Sequence, residues 1–125
     1  MKAVLSIAAL SGLFAVALGA FGAHGLKAII SPEMLEVYKT GVQYQFYHTF
    51  ALLAAGILMN FNQSKALKWS ATLFMIGIIL FSGSLYVLAI SGVKAFGFIT
   101  PFGGITWIAA WFLLFVHCRK LTSSK

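Results

Sequence analysis

Apolar runs at residues 3–23, 42–61, 69–91 and 101–118 alternate with short polar stretches along this chain. A helical run of about twenty apolar residues crosses a ~30 Å hydrocarbon core, so each run predicts a transmembrane helix. Leu26 to Thr40, between the first two, is the one amphiphilic stretch. Ser31-Pro32-Glu33 reads as a helix start, with a serine N-cap, proline at the first helical position and an acid in the first turn. Leu26, Ile29, Ile30, Met34, Leu35 and Val37 give that stretch an apolar side, which predicts a short interfacial amphipathic helix. The expected fold is therefore an all-α membrane protein. It is a single domain over residues 1–125, a bundle of four transmembrane helices with the interfacial helix between the first and second.

Small residues mark where the helices should meet. Ser11, Ala15, Gly19 and Ala23 recur every four residues in the first run, a pattern that lets a neighbouring helix approach closely. The same run also reads as a secretory signal peptide, since Met1-Lys2 is a basic start and Ala15, Ala17, Ala20 and Ala23 resemble cleavage positions. A disposable segment has no use for a packing stripe, so retention is expected. In the third run, Ser70, Gly77, Ser84 and Ser91 fall at seven-residue spacing and predict a left-handed packing seam. Gly83 and the Gly103-Gly104 pair, just after the Thr100-Pro101 helix start, are further candidate points of close approach.

The second run carries the most polar groups. At 100° per residue, Gln43, Tyr44, Tyr47 and His48 fall within about 140° of arc, with Phe46, Phe50, Leu53 and Ile57 on the other side. The first set is expected to face a packed, partly polar interior and the second to face lipid. A protonated His48 would cost ~2.5 to 3.5 kcal/mol, against roughly 2 to 4 gained by the apolar residues of the run, so a neutral, hydrogen-bonded imidazole is expected. Placed on four spans, His24, Gln43, Tyr44, His48, Ser82, Ser84 and Tyr86 come to one level and form a candidate polar cluster in the outer half of the bundle. His117, beside Cys118 and Arg119, reads as interfacial.

Composition narrows the classes. With 61% hydrophobic and 9% charged residues, the chain is too apolar for a soluble domain, whose charged share is about 25%. A single cysteine excludes an internal disulfide framework and a cysteine metal site. The net charge of +7 comes from cations scattered between apolar runs, which argues for lipid headgroups and topology signals rather than nucleic acid. Lys2, Lys65, Lys68, Arg119, Lys120 and Lys125 share one side, against Lys27, Lys39 and Lys94 on the other, so both termini are expected in the cytoplasm at the plasma (inner) membrane. Glu33 and Glu36 could be a catalytic carboxylate pair; an acid at a helix start and a Glu36 to Lys39 contact explain them more simply.

Four ordered motifs carry a resemblance over nearly the whole chain. Gly19 to Lys27, Gln43-Tyr44-Gln45 with His48, Phe81 to Tyr86, and Thr100 to Gly104 resemble the bacterial domain of unknown function 423 family. The eukaryotic transmembrane protein 256 family is similar. Phe102 stands where an aliphatic residue is expected and Ala110 where a glycine is usual, which bears on local packing. The resemblance implies a small multi-pass plasma-membrane protein with no assigned activity and no catalytic residues to carry over.

Function is left with competing classes. A structural or accessory membrane protein needs only the packing devices above. A transporter or channel component, as an oligomer, would line a polar path with His24, His48 and Tyr86. A haem protein or enzyme would use two histidines on different helices at one level. The expected partners are the bilayer and a membrane protein or further copies of the chain, with no metal and no cofactor.

Overall fold

A 28-residue helix, α2 (Pro32–Met59), begins where Ser31-Pro32 predicts it, with the Ser31 hydroxyl accepting from the Met34 N–H at 3.2 Å. The computed structural model describes residues 1–123; Lys125, counted above among the cytoplasmic cations, lies outside them. Before α2 come α1 (Lys2–His24) and a single 3₁₀ turn, Leu26–Ala28. After it come α3 (Lys65–Gly77), a π turn at Ile78–Ser82, α4 (Gly83–Ser91), a 3₁₀ segment Lys94–Phe98 and α5 (Thr100–Ser123). The α3 helix, the π turn and α4 form one continuous rod, so the described residues make four long helices and no strand.

Three helical segments, Lys2–Ala28, Lys65–Ser91 and Lys94–Leu121, are long and apolar enough to cross a membrane. The α2 helix is as long, but Glu33, Glu36 and Lys39 near its start and Gln43, Gln45 and His48 in its middle interrupt its apolar character.

The amphiphilic stretch does not form the separate interfacial helix expected of it. Its first part is the one turn Leu26–Ala28, and from Pro32 onward it is the beginning of α2, which runs unbroken into the predicted second span. Starting at residue 32 instead of 42 lengthens the helix by ten residues, about 15 Å. Tertiary contacts hold this extension. Tyr38 is buried, and its hydroxyl donates to the Leu18 carbonyl of α1. At Gly41, where the helix could have broken, the space a side chain would fill is taken by the Tyr86 ring.

Other boundaries follow from caps. The Ser64 hydroxyl accepts from the Leu67 N–H at 3.0 Å and starts α3 at Lys65, ahead of the apolar run that begins at residue 69. Gly92 ends α4 in the left-handed region at φ 72°, returning its N–H to the Leu88 carbonyl.

The helices pack antiparallel in chain order. Leu5 lies at Gly56, Gly12 at Thr49, Gly19 at Val42 and Gly22 at Tyr38, so α1 runs the length of α2. The α2 helix meets the π turn and α4 at Gly41, which faces Ser82 and Tyr86, and the Lys65–Ser91 rod meets α5 through Ser70 and Ala110, then Gly77 and Trp107, then Phe81 and Gly103. Leu52, Ala55, Leu67, Phe74, Trp107 and Ala110 form the centre of the main core.

The buried positions keep seven-residue spacing. In α2 they include Tyr38, Gln45, Leu52 and Met59 together with Gly41, His48 and Ala55. In α1 they are Ala8, Ala15 and Gly22. The predicted stripe at Ser11, Ala15, Gly19 and Ala23 advances by four, and each step turns about 40° round the helix, so by Ala23 it has rotated about 120° away and is exposed. The seam at Ser70, Gly77 and Ser84 is buried and faces α5, whereas Ser91 is exposed.

Candidate functional site

The polar interior is assembled around Gln45, which is 5% exposed at the middle of α2. Its Nε2 donates to the Ser11 carbonyl at 2.9 Å and approaches the Ser11 hydroxyl at 3.3 Å; its Oε1 accepts from the Tyr86 hydroxyl at 2.5 Å. Ser11 and Thr49 share a hydrogen bond at 2.7 Å. One amide thus joins α1, α2 and α4. Packed apolar surroundings offer Gln45 no water, so a missing partner would cost at least ~1 to 3 kcal/mol, and having all three fixes the register between these helices.

Beside this chain lies an aromatic layer. The His48 ring stacks on the indole of Trp107, with centroids 3.5 Å apart and planes 1° from parallel. Its Nδ1 lies 2.8 Å from the Tyr44 carbonyl. A carbonyl can only accept, so Nδ1 carries a proton. Phe74 and Trp111 flank the imidazole at 6.1 and 6.0 Å, and Tyr44 packs on Phe81 at 5.0 Å. Trp107 fits because Gly77 has no side chain: a Cβ there would overlap the indole. The indole N–H donates to the Phe74 carbonyl at 3.2 Å.

The π turn shapes the third wall. The Gly83 N–H bonds back five residues to the Ile78 carbonyl, so one extra residue is accommodated there. This turn carries buried Ser82, whose hydroxyl donates to the Gly41 carbonyl at 2.7 Å, and Phe81, whose backbone N would sit 2.5 Å from a Cβ on Gly103. Ser84 shares a 2.6 Å hydrogen bond with Thr100 across to α5.

The residues singled out in the sequence are thus distributed over several settings. Ser82, Ser84, Tyr86 and His48 are in the interior, each in its own hydrogen bond. Gln43 is exposed, with Nε2 donating to the Tyr47 oxygen, and the interior amide is Gln45 instead. Tyr44 is 38% exposed, and its ring covers the outer edge of the aromatic layer. His24 is exposed at the end of α1, away from the others. Among the packing candidates, Ser11 is a hydrogen-bonding member and Ala15 is fully buried. Gly19 faces Val42, Gly77 and Gly103 permit close contact, Gly104 only grazes Phe81, and nothing lies within 4 Å of a Cβ on Gly83.

Sequence reasoning missed Gln45, Thr49 and Trp107. His117, expected at the membrane interface, is packed inside the protein at 2% exposure. Its Nδ1 is 2.7 Å from the Ser64 hydroxyl, and its Nε2 is buried without a partner among the described residues. The signal that finds Trp107 and His117 is the three-four spacing of Gly103, Trp107, Ala110, Leu114 and His117, which is the buried seam of α5. No group of three or more His, Cys, Asp or Glu able to hold a metal occurs among the described residues.

Residues 18–104 match the family model described as protein of unknown function (DUF423). The chain is 42% identical over 120 residues to a UPF0382 membrane protein of Staphylococcus aureus (strain bovine RF122 / ET3-1), covering 96% of this chain and 98% of that one. It is 41% identical over 118 residues to the UPF0382 inner membrane protein YgdD of Escherichia coli (strain K12), covering 94% and 90%. It is 40% identical over 121 residues to the UPF0382 membrane protein YwdK of Bacillus subtilis (strain 168), covering 96% and 98%. No solved structure matches the chain.

Proposed function

This chain belongs to the DUF423 family of proteins of unknown function, and on that premise we propose that it is a structural or accessory protein of the plasma membrane. In this reading α2 is the fourth membrane-spanning helix. Both termini face the cytoplasm, because Lys2, Lys65, Lys68, Arg119 and Lys120 gather at one end of the bundle, against Lys27, Lys39 and Lys94 at the other. The plasma membrane agrees with the inner membrane named for the Escherichia coli relative.

The observation that carries the role is that interior polar groups bond one another across helices. Tyr86 and Ser11 hold the Gln45 amide, Ser82 holds Gly41, Ser84 holds Thr100 and Ser70 holds the Ala110 carbonyl. Groups engaged in this way fasten a bundle; they do not present a row of free donors and acceptors to a solute. The haem reading needs His24 and His48 on one iron. His24 is twelve residues along α1 from Gly12, which packs at Thr49 beside His48, so the two imidazoles are set apart by about 18 Å of helix.

Purification from native membranes in mild detergent, with native mass and an absorption spectrum, tests this reading. The expected species is larger than one chain, containing a second copy or a co-purifying membrane protein. A Soret band, or solute flux through vesicles holding only this protein, overturns it.

A further inference from the structure

Among the described residues, a hydrogen-bonded polar pair lies on the outside of the bundle at mid-depth. Gln43 and Tyr47 are both exposed, Tyr47 by 48%, on the side of α2 turned away from the other helices. They lie between the levels of Gly12 and Gly19 of α1, which pack at Thr49 and Val42, and so within about 8 Å of the middle of that helix. If α2 spans the bilayer, as proposed above, this pair faces the hydrocarbon, where lipid tails supply no hydrogen-bond partner.

We propose that this face of α2 docks against the same face of a second copy of the chain. Three observations favour a copy over an unrelated protein. The Gln43 Nε2 donates one hydrogen to the Tyr47 oxygen, which leaves the Tyr47 O–H proton, the second Nε2 hydrogen and the Gln43 Oε1 to bond outward. Donors and an acceptor thus stand together on one face, a self-complementary set: under a two-fold axis along the membrane normal, each Tyr47 donates to the Gln43 Oε1 of the other copy. The exposed residues of α2 also keep the spacing of a parallel left-handed helix pair, with Gln43, Phe50 and Ile57 in one row and Tyr47 and Ala54 in the other. Above them on the same face Glu36 and Lys39, 3.7 Å apart and both more than half exposed, carry opposite charges that complement their counterparts under the same axis.

This inference rests on the four-span reading, and the experiment separates the two. With the exposed Cys118 replaced by serine, Ala54→Cys puts a thiol on the seam, and Ile108→Cys on the outward face of α5 serves as the control. Oxidation in native membranes is expected to give a disulfide product of twice the chain mass from Ala54→Cys and none from Ile108→Cys. Adding Gln43→Leu and Tyr47→Phe, both surface changes, is expected to reduce that product about fivefold to tenfold. Equal products at 54 and 108, a product at 54 that the added changes leave intact, or a product of another mass overturns the pairing. Labelling of the Ala54→Cys thiol by a membrane-impermeant maleimide overturns the spanning of α2 itself. A protected thiol that fails to cross-link overturns the pairing alone.

Discussion

Gln45 and His48 are neighbours in the same interior, yet their substitutions should behave differently, because one amide bonds to two other helices and the imidazole bonds within its own. Gln45→Leu leaves the Tyr86 hydroxyl and the Ser11 hydroxyl without their amide partner. Interhelical hydrogen bonds in membranes average only ~0.6 kcal/mol, so two to three of them set an expected loss of about 1 to 2 kcal/mol, read by denaturation in detergent. Tyr86→Phe should recover part of that loss in the double variant, since it removes the stranded phenol. For His48 the hydrogen bond reaches only the Tyr44 carbonyl four residues back, while the ring face lies on Trp107. The stack contributes ~0.5 to 1.5 kcal/mol, so His48→Phe is expected to keep folded yield and melting temperature close to the parent, and His48→Leu to lower both. A His48→Leu protein as stable as His48→Phe would show that packing volume alone matters there.

At the scale of elements, the glycines divide into those that let helices meet and those that do not. A methyl on Gly77 would overlap the Trp107 indole, and one on Gly103 would lie 2.5 Å from the Phe81 backbone N in the π turn. Overpacking of this kind costs typically ~1 to 3 kcal/mol, and backbone yields less readily than a side chain, so Gly103→Ala is expected to lower the melting temperature at least as much as Gly77→Ala. Gly83→Ala is the matched comparison within the same rod, with open space at the Cβ. It is expected to be neutral or stabilising by up to ~1 kcal/mol through helix propensity. The measurement is the thermal midpoint of the three variants in one detergent; a Gly83→Ala variant as damaged as the other two would contradict the contacts described.

For the whole molecule, the proposed topology predicts that reporter fusions at residue 64 and at the C-terminus are cytoplasmic and one at residue 94 is external. It also predicts that intact mass finds α1 still attached, because Gln45 and Tyr38 both take partners from it. A mature chain beginning near His24 would remove those partners. By itself the sequence determined the helices and the ends marked by Ser31-Pro32 and Thr100-Pro101, which act through their own neighbours, so this capping is legible locally. It also determined the seam at Ser70, Gly77 and Ser84, because a seven-residue repeat marks one helix face whatever packs there. Only the tertiary structure decided which face of α2 turns inward, since polar side chains occupy both sides. Gln43 and Gln45 are the same residue type two positions apart, and Gln45 is interior because Ser11, thirty-four residues earlier, and Tyr86, forty-one later, supply its partners. The unbroken start of α2 was decided in the same way, by Tyr38 reaching α1 and Tyr86 filling the space at Gly41. Local pattern specifies a helix; which of its faces is buried depends on hydrogen-bond partners and ring volumes that arrive from elsewhere in the chain.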